Sequence, residues 1–120
     1  MNIGETGTKG EEMVARFLKS KGYTIIKRNY QCRFGEIDII AENDRYILFV
    51  EVKTRKENSL VPNEYAVDFK KQQRIILTAQ DYLSKTSLDL QPRFDVALVT
   101  VGKKTDNKSG YSLNYIENAF

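Results

Sequence analysis

Apolar residues recur along this chain with two different periods, and the change of period marks its elements. Met13, Val14, Phe17 and Leu18 fall at helical spacing with Arg16, Lys19 and Lys21 between them. This predicts a helix over about 10–21, stopped by Gly22 at the C′ position. A short apolar run over 23–26 predicts a first strand, and the polar stretch 29–35 reads as a turn. Segments 36–41 and 46–53 are rich in Ile, Val and Phe and predict two strands joined at the Glu42-Asn43-Asp44-Arg45 turn. A polar loop follows over 56–64 with Pro62. Asp68 then caps a second helix whose apolar positions include Ile75, Ile76, Ala79, Tyr82 and Leu83. After a loop over 84–92, segment 93–101 predicts a further strand. A polar stretch over 102–110 and a last edge strand over 111–116 complete the chain. Alternation of strands and helices without repeats or a boundary gives one α/β domain spanning residues 1–120.

The two strands around Asn43 carry the most information. With Asn43 and Asp44 as a two-residue loop, Asp38 faces Phe49 and Glu36 faces Glu51. Side chains alternate with period 2. One face then holds Ile37, Ile39, Ala41, Tyr46, Leu48, Val50 and Val52, with no charge. The other holds Glu36, Asp38, Ile40, Ile47, Phe49, Glu51 and Lys53. A slip of one residue would push Asp38 among Leu48 and Val50, so the pattern favours this register. Asp38 is expected diagonal to Glu51, with Lys53 two residues along. Carboxylates on an apolar strand are expensive unless paired or bound to an ion. A divalent cation between Asp38 and Glu51, with the Val52 carbonyl as a third oxygen, resolves their repulsion, and Lys53 stands ready to orient a water or stabilise phosphate charge. The competing reading is an edge hairpin with one wet face, on which these charges merely meet solvent.

Composition narrows the chemistry. The 120 residues include no histidine and one cysteine, Cys32. His-based triads, dyads and zinc sites are thereby excluded, as are Cys-rich zinc sites and an internal disulfide. Any hydrolytic chemistry must use carboxylates, lysine and an oxygen-preferring ion such as Mg²⁺ or Mn²⁺. The absence of a membrane-length apolar run and of a leader-like start leads to the expectation of a cytoplasmic protein with no membrane partner. The net charge of +3 is mild, but the basic residues cluster: Lys27, Arg28 and Arg33; Lys53, Arg55 and Lys56; Lys70, Lys71 and Arg74. Such clusters can follow a phosphate backbone or simply be solvated surface.

Asp38 followed thirteen positions later by Glu51-Val52-Lys53 fits the D…ExK core of the PD-(D/E)XK, restriction-endonuclease-like superfamily. The longer stretches Gly35-Glu36-Ile37-Asp38-Ile39-Ile40-Ala41 and Phe49-Val50-Glu51-Val52-Lys53-Thr54-Arg55 closely resemble the YraN-like family of small bacterial predicted endonucleases. Gly10-Glu11, Gly22-Tyr23, Asn29, Lys71, Arg93-Phe94-Asp95 and Asn118-Ala119-Phe120 resemble it too, so the likeness spans nearly the whole chain. The resemblance implies a mixed β-sheet flanked by helices, a Mg²⁺-type site at Asp38 and Glu51, and Lys53 as catalytic lysine. It brings Glu11 forward as a further catalytic residue, since a glutamate of this helix approaches the metal in related archaeal Holliday-junction resolvases. Thr8-x-x-Glu11 also reads as a capping box, and both readings of Glu11 stand. Lys71, with Arg55 and Arg74, is a candidate for contact with DNA phosphates, while Arg93-Phe94-Asp95 is read as support for the fold. Residues 59–65 depart from the Gly- and Pro-containing loop expected there.

The function these readings favour is a metal-dependent endonuclease hydrolysing DNA phosphodiesters, with branched or otherwise structured DNA as the favoured substrate. Two alternatives stand beside it: a nucleic-acid-binding module without catalysis, and a component of a DNA-processing assembly that acts only with a protein partner. A homodimer suits symmetric cutting of two strands.

Overall fold

The structure, a computed structural model, describes residues 3–57, 67–87, 89–102 and 110–120, and the side chains from residue 9 onward within them. Helix α1 (Ile3–Ser20) precedes three strands, β1 (Thr24–Cys32), β2 (Gly35–Glu42) and β3 (Tyr46–Lys56). Helix α2 (Phe69–Leu83) leads to β4 (Gln91–Val101) and β5 (Tyr111–Ile116). The five strands form one sheet in sequence order. Neighbours are antiparallel except for β3 and β4, which are parallel. A parallel pair needs a crossover, and α2 lies within it. The α/β class and the mixed sheet flanked by helices are as expected, and the architecture is compatible with a restriction-endonuclease-like core. Among the described residues, no helix is long and apolar enough to cross a membrane.

The sheet is buried on both faces. Val14, Ala15 and Leu18 of α1 pack on Ile39, Ala41, Leu48, Val50, Ala97 and Val99. Ile75, Ala79 and Tyr82 of α2 pack on Ile40, Ile47, Phe49, Val96 and Leu98. This explains the continuous apolar run through β3, which a strand with one solvated face would not carry. It also overturns the reading of a hairpin with one wet face: Ile40, Ile47 and Phe49 are fully buried. Each such side chain contributes roughly 1.5–3 kcal/mol by leaving water.

Several boundaries differ from expectation for local reasons. The segment read as a turn over 29–35 is mostly strand, because β1 continues to Cys32 through Asn29 in a left-handed conformation, φ 54°. The β2–β3 connection is longer than the two residues expected. The Asn43 side chain accepts the N–H groups of Arg45 and Tyr46 at 2.9 and 2.8 Å, and Glu42 pairs with Ile47. The register is therefore two residues from that expected, which preserves the faces from Ile39 to Val50, whereas Ile37, expected beside Ile39 and Ala41, lies on the opposite face. Helix α1 begins well before residue 10 and stops as predicted, in a Schellman arrangement. Gly22, at φ 93°, donates to the Lys19 carbonyl, and Tyr23 donates to the Leu18 carbonyl. Asp68 caps α2. The last strand occupies 111–116 and lies at the sheet edge, as predicted. The loop carrying Pro62, the departure over 59–65, and most of the polar stretch before Gly110 lie outside the described residues.

Gly10 sets how closely α1 approaches β3. A Cβ at this position would overlap the Thr54 side-chain oxygen. Gly10→Ala is therefore expected to destabilise the fold by about 1–2 kcal/mol in urea titrations, although alanine is the better helix former. Combining it with Thr54→Ala should restore most of the loss.

Candidate metal centre

Two strands that pair as far as Ile39 and then separate create the site. The β2–β3 ladder runs from Glu42 opposite Ile47 to Ile39 opposite Val50 and stops there. The next residues on the two strands are the carboxylates, Asp38 and Glu51. On the other side of β2, the ladder to β1 skips one position, between the pairs Arg28–Ile39 and Tyr30–Ile37. The residue skipped on β1 is Asn29, and asparagine tolerates its left-handed backbone better than most residues. The two irregularities meet at Asp38. Ile39 falls in the α1-side core and Ile37 in the α2-side core, whereas strict alternation would put both on one face.

In the gap, Asp38 Oδ2 accepts the Val52 N–H at 2.8 Å. The N–H and C=O of one strand residue point toward the same neighbour, so the Val52 carbonyl also faces the β2 side. Glu51 lies on the α2 side and is only 6% exposed. The Lys71 ammonium stands 2.8 Å from Glu51 Oε2. This ion pair is the counter-charge to the buried Glu51 carboxylate. Lys71 is held there by the helix start, because its N–H donates to Asp68 Oδ1 at 2.8 Å.

The charges are out of balance. Burial, and then the neighbouring Glu51 carboxylate, push the Asp38 carboxyl up to about 8, against the pull of the Val52 N–H; Glu11 adds a weaker upward push. For Lys71, burial opposes the charged form, but Glu51 outweighs it and raises the ammonium above its ordinary value. The pair of carboxyls thus holds a proton it would release to a stronger cation. Among the described residues no three Asp, Glu, His or Cys side chains come together. A cation here would rest on Asp38, Glu51 and the Val52 carbonyl, with water or substrate oxygens completing its shell. Mg²⁺ accepts such a set, since it commonly takes one or two carboxylates and retains waters. The buried Glu51 carboxylate, which already draws one cationic group, fits that use.

The other expected residues are placed as follows. Lys53 is partly buried, and its side chain neighbours that of Lys71. Arg55 lies two residues further along β3, opposite Thr100. Arg74 is exposed on α2, with its Cβ against Gly35. Glu11 is not a helix cap: α1 starts at Ile3, so Thr8 and Glu11 are both interior. Glu11 lies 3.6 Å from Arg28, which also bonds Glu12. Asp38 does not face Phe49, and Glu36 does not face Glu51; Glu36 pairs with Gln31 on β1 and is exposed. Sequence reasoning missed the part played by Asn29. Beyond its place in the family resemblance, its signal was a residue tolerant of positive φ between two apolar runs, which also reads as an ordinary turn.

Away from the carboxylates, Asp95 is fully buried and anchors the end of the chain. It accepts from Arg93 Nε at 3.0 Å, the Tyr115 hydroxyl at 2.6 Å and the Asn118 N–H at 2.9 Å. Phe94 stacks between Phe49 and Phe120. Arg93-Phe94-Asp95 therefore supports the fold, as read from the sequence.

Comparison with known proteins gives a consistent family. The model of the uncharacterised protein family UPF0102 matches residues 10–99. A UPF0102 protein of Caldanaerobacter subterraneus subsp. tengcongensis is 42% identical over 122 residues, covering 100% of this chain and 98% of the relative. One from Clostridium acetobutylicum is 43% identical, covering 97% and 93%. One from Phocaeicola vulgatus is 43% identical, covering 97% and 92%.

Proposed function

We propose that this chain, which belongs to the uncharacterised protein family UPF0102, the YraN-like family, is a metal-dependent endonuclease that hydrolyses DNA phosphodiesters. One observation carries the reading: the carboxylates of Asp38 and Glu51, the first partly and the second almost wholly buried, adjoin where β2 leaves β3. A pair of carboxylates so arranged destabilises the metal-free protein, and a cation-binding role accounts for it.

Asp38, Glu51 and the Val52 carbonyl would hold Mg²⁺ or Mn²⁺. The chemistry such an ion supplies is Lewis acidity, toward a water and toward a phosphoryl oxygen. Val52 N–H fixes the Asp38 carboxylate by donating to Oδ2. Lys53, two residues from Glu51, would place its ammonium against the phosphate or the attacking water. Lys71, Arg55 and Arg74 would guide the phosphate backbone toward the gap. Branched or otherwise structured DNA is the substrate class we favour, and a homodimer would let two such sites cut opposite strands.

The test is cleavage of labelled duplex, single-stranded, flapped and four-way-junction DNA in Mg²⁺ or Mn²⁺, with Glu51→Gln prepared identically. We expect metal-dependent cutting that falls by at least ~100-fold in the variant. Equal inactivity of both proteins across the panel would sink the reading for the isolated chain. The Lys71–Glu51 ion pair favours a second reading, a nucleic-acid-binding module in which lysine neutralises a structural carboxylate. That module would bind DNA with no dependence on divalent ions. A protein that needs a partner would regain cutting on addition of native extract.

A further inference from the structure

Lys71 occupies a position that a metal ion would contest. Its ammonium is 2.8 Å from Glu51 Oε2, and Asp38 also attracts it. It neighbours Lys53, so the two ammonium groups already crowd one side of the carboxylate pair. The Glu51 side chain is 7% exposed, so its charge is answered, among the described residues, by this one contact at close range. The Lys71 side chain is 40% exposed and belongs to the first turn of α2, so the ammonium can swing outward to solvent. A doubly charged ion on Glu51 would repel it.

We propose that Lys71 is a resident counter-ion that competes with the divalent cation for Glu51 and, once displaced, becomes available to the DNA phosphate. The inference rests on the metal reading above and adds a coupling to it: metal binding frees the lysine, and DNA engages the freed lysine. By reciprocity, DNA carrying a phosphate at the site strengthens metal binding by the same factor. The protein without DNA then binds its ion weakly, and the complete site assembles only on substrate.

Calorimetric titration with Mn²⁺ separates the possibilities. Lys71→Met is expected to bind Mn²⁺ roughly 10-fold more tightly than wild type, a coupling of ordinary size, and to bind DNA more weakly when Mn²⁺ is present. Lys71→Arg retains the charge and should stay near the wild-type metal affinity. Glu51→Gln should lose Mn²⁺ binding. If Glu51→Gln loses the ion but Lys71→Met binds it no more tightly than wild type, Lys71 does not compete, while the metal reading stands. If neither wild type nor Lys71→Met takes up Mn²⁺, both ideas fall. A measurement on wild type alone avoids any folding defect of the variants. Amine acylation of Lys71, quantified by peptide mass spectrometry against exposed Lys70, should rise several-fold when Mn²⁺ is added. Unchanged or reduced labelling overturns the displacement.

Discussion

Asp38→Asn is expected to raise the thermal stability of the metal-free protein near pH 8 while removing the metal-dependent activity proposed above. Both effects have one origin. The Asp38 carboxyl sits at about 8 in the fold, against 3.8 for a free side chain, through burial first and Glu51 second. The native state therefore holds a proton that the unfolded chain releases. Stability from this group is complete below about pH 4 and is lost as pH rises toward 8. Asparagine carries no such charge; it can still accept the Val52 N–H and can donate to Glu51. A tenfold difference in proton affinity between folded and unfolded chains corresponds to about 1.4 kcal/mol. Asp38 is only partly withdrawn from solvent, and we expect a gain on the order of 2 kcal/mol at pH 8 after discounting for screening. Differential scanning calorimetry in chelator should show the wild-type midpoint falling relative to Asp38→Asn between pH 5 and 8. Adding Mn²⁺ should raise the wild type alone. Parallel midpoints at every pH would show that Asp38 carries no linked proton.

How far the sequence could be read follows from what each signal depends on. The faces of β2 and β3 between Ile39 and Val50 were legible because side-chain parity survives a register error of two residues, and Asp38 and Glu51 emerged as neighbours on that basis, but Ile37 was assigned to the wrong face. The register was not legible. It depends on the Asn43 side chain capping the turn, a choice the residue types Asn and Asp leave open. Covering of the second face was implicit in the unbroken run Ile47 to Val50, yet a charged Glu51 and Lys53 nearby made a wet face an equal reading. Nor could periodicity reveal the break in alternation at Asp38, which lies beside the left-handed Asn29 on a different strand. Lys71 was singled out through resemblance. Its contact with Glu51 needs the tertiary placement of the α2 start, although Asp68 as N-cap, read correctly, already fixed the turn that presents it.

Asp95→Ala is expected to cause the largest loss of stability, about 3–5 kcal/mol, while leaving Mn²⁺ affinity per folded molecule unchanged. The Asp95 carboxylate is wholly buried and its oxygens are filled by Arg93, the Tyr115 hydroxyl and the Asn118 N–H. Burial and then the Asp95 charge push the Tyr115 phenol up, so it remains a neutral donor. Burial works against the Arg93 charge, but Asp95 overcomes this and raises the guanidinium. Removing the carboxylate leaves Arg93, 12% exposed, facing the rings of Tyr46 and Tyr23 with only the exposed Glu117 carboxylate, 3.7 Å away, as counter-charge among the described residues. Such a loss is a large fraction of the roughly 5–15 kcal/mol typical of a folded domain. The Arg93→Met, Asp95→Leu double variant should lose less than the two single variants together, because each single change strands a partner. Urea titration of the four proteins closes the cycle, and strict additivity would show that the pair is not coupled. Asp95 lies opposite Val50, one position before Glu51 opposite Val96, but with Val50 and Ala97 toward α1 it serves the other face of the sheet. A weaker Mn²⁺ affinity in still-folded Asp95→Ala would mean that this anchor also sets the spacing of β3 at the metal centre.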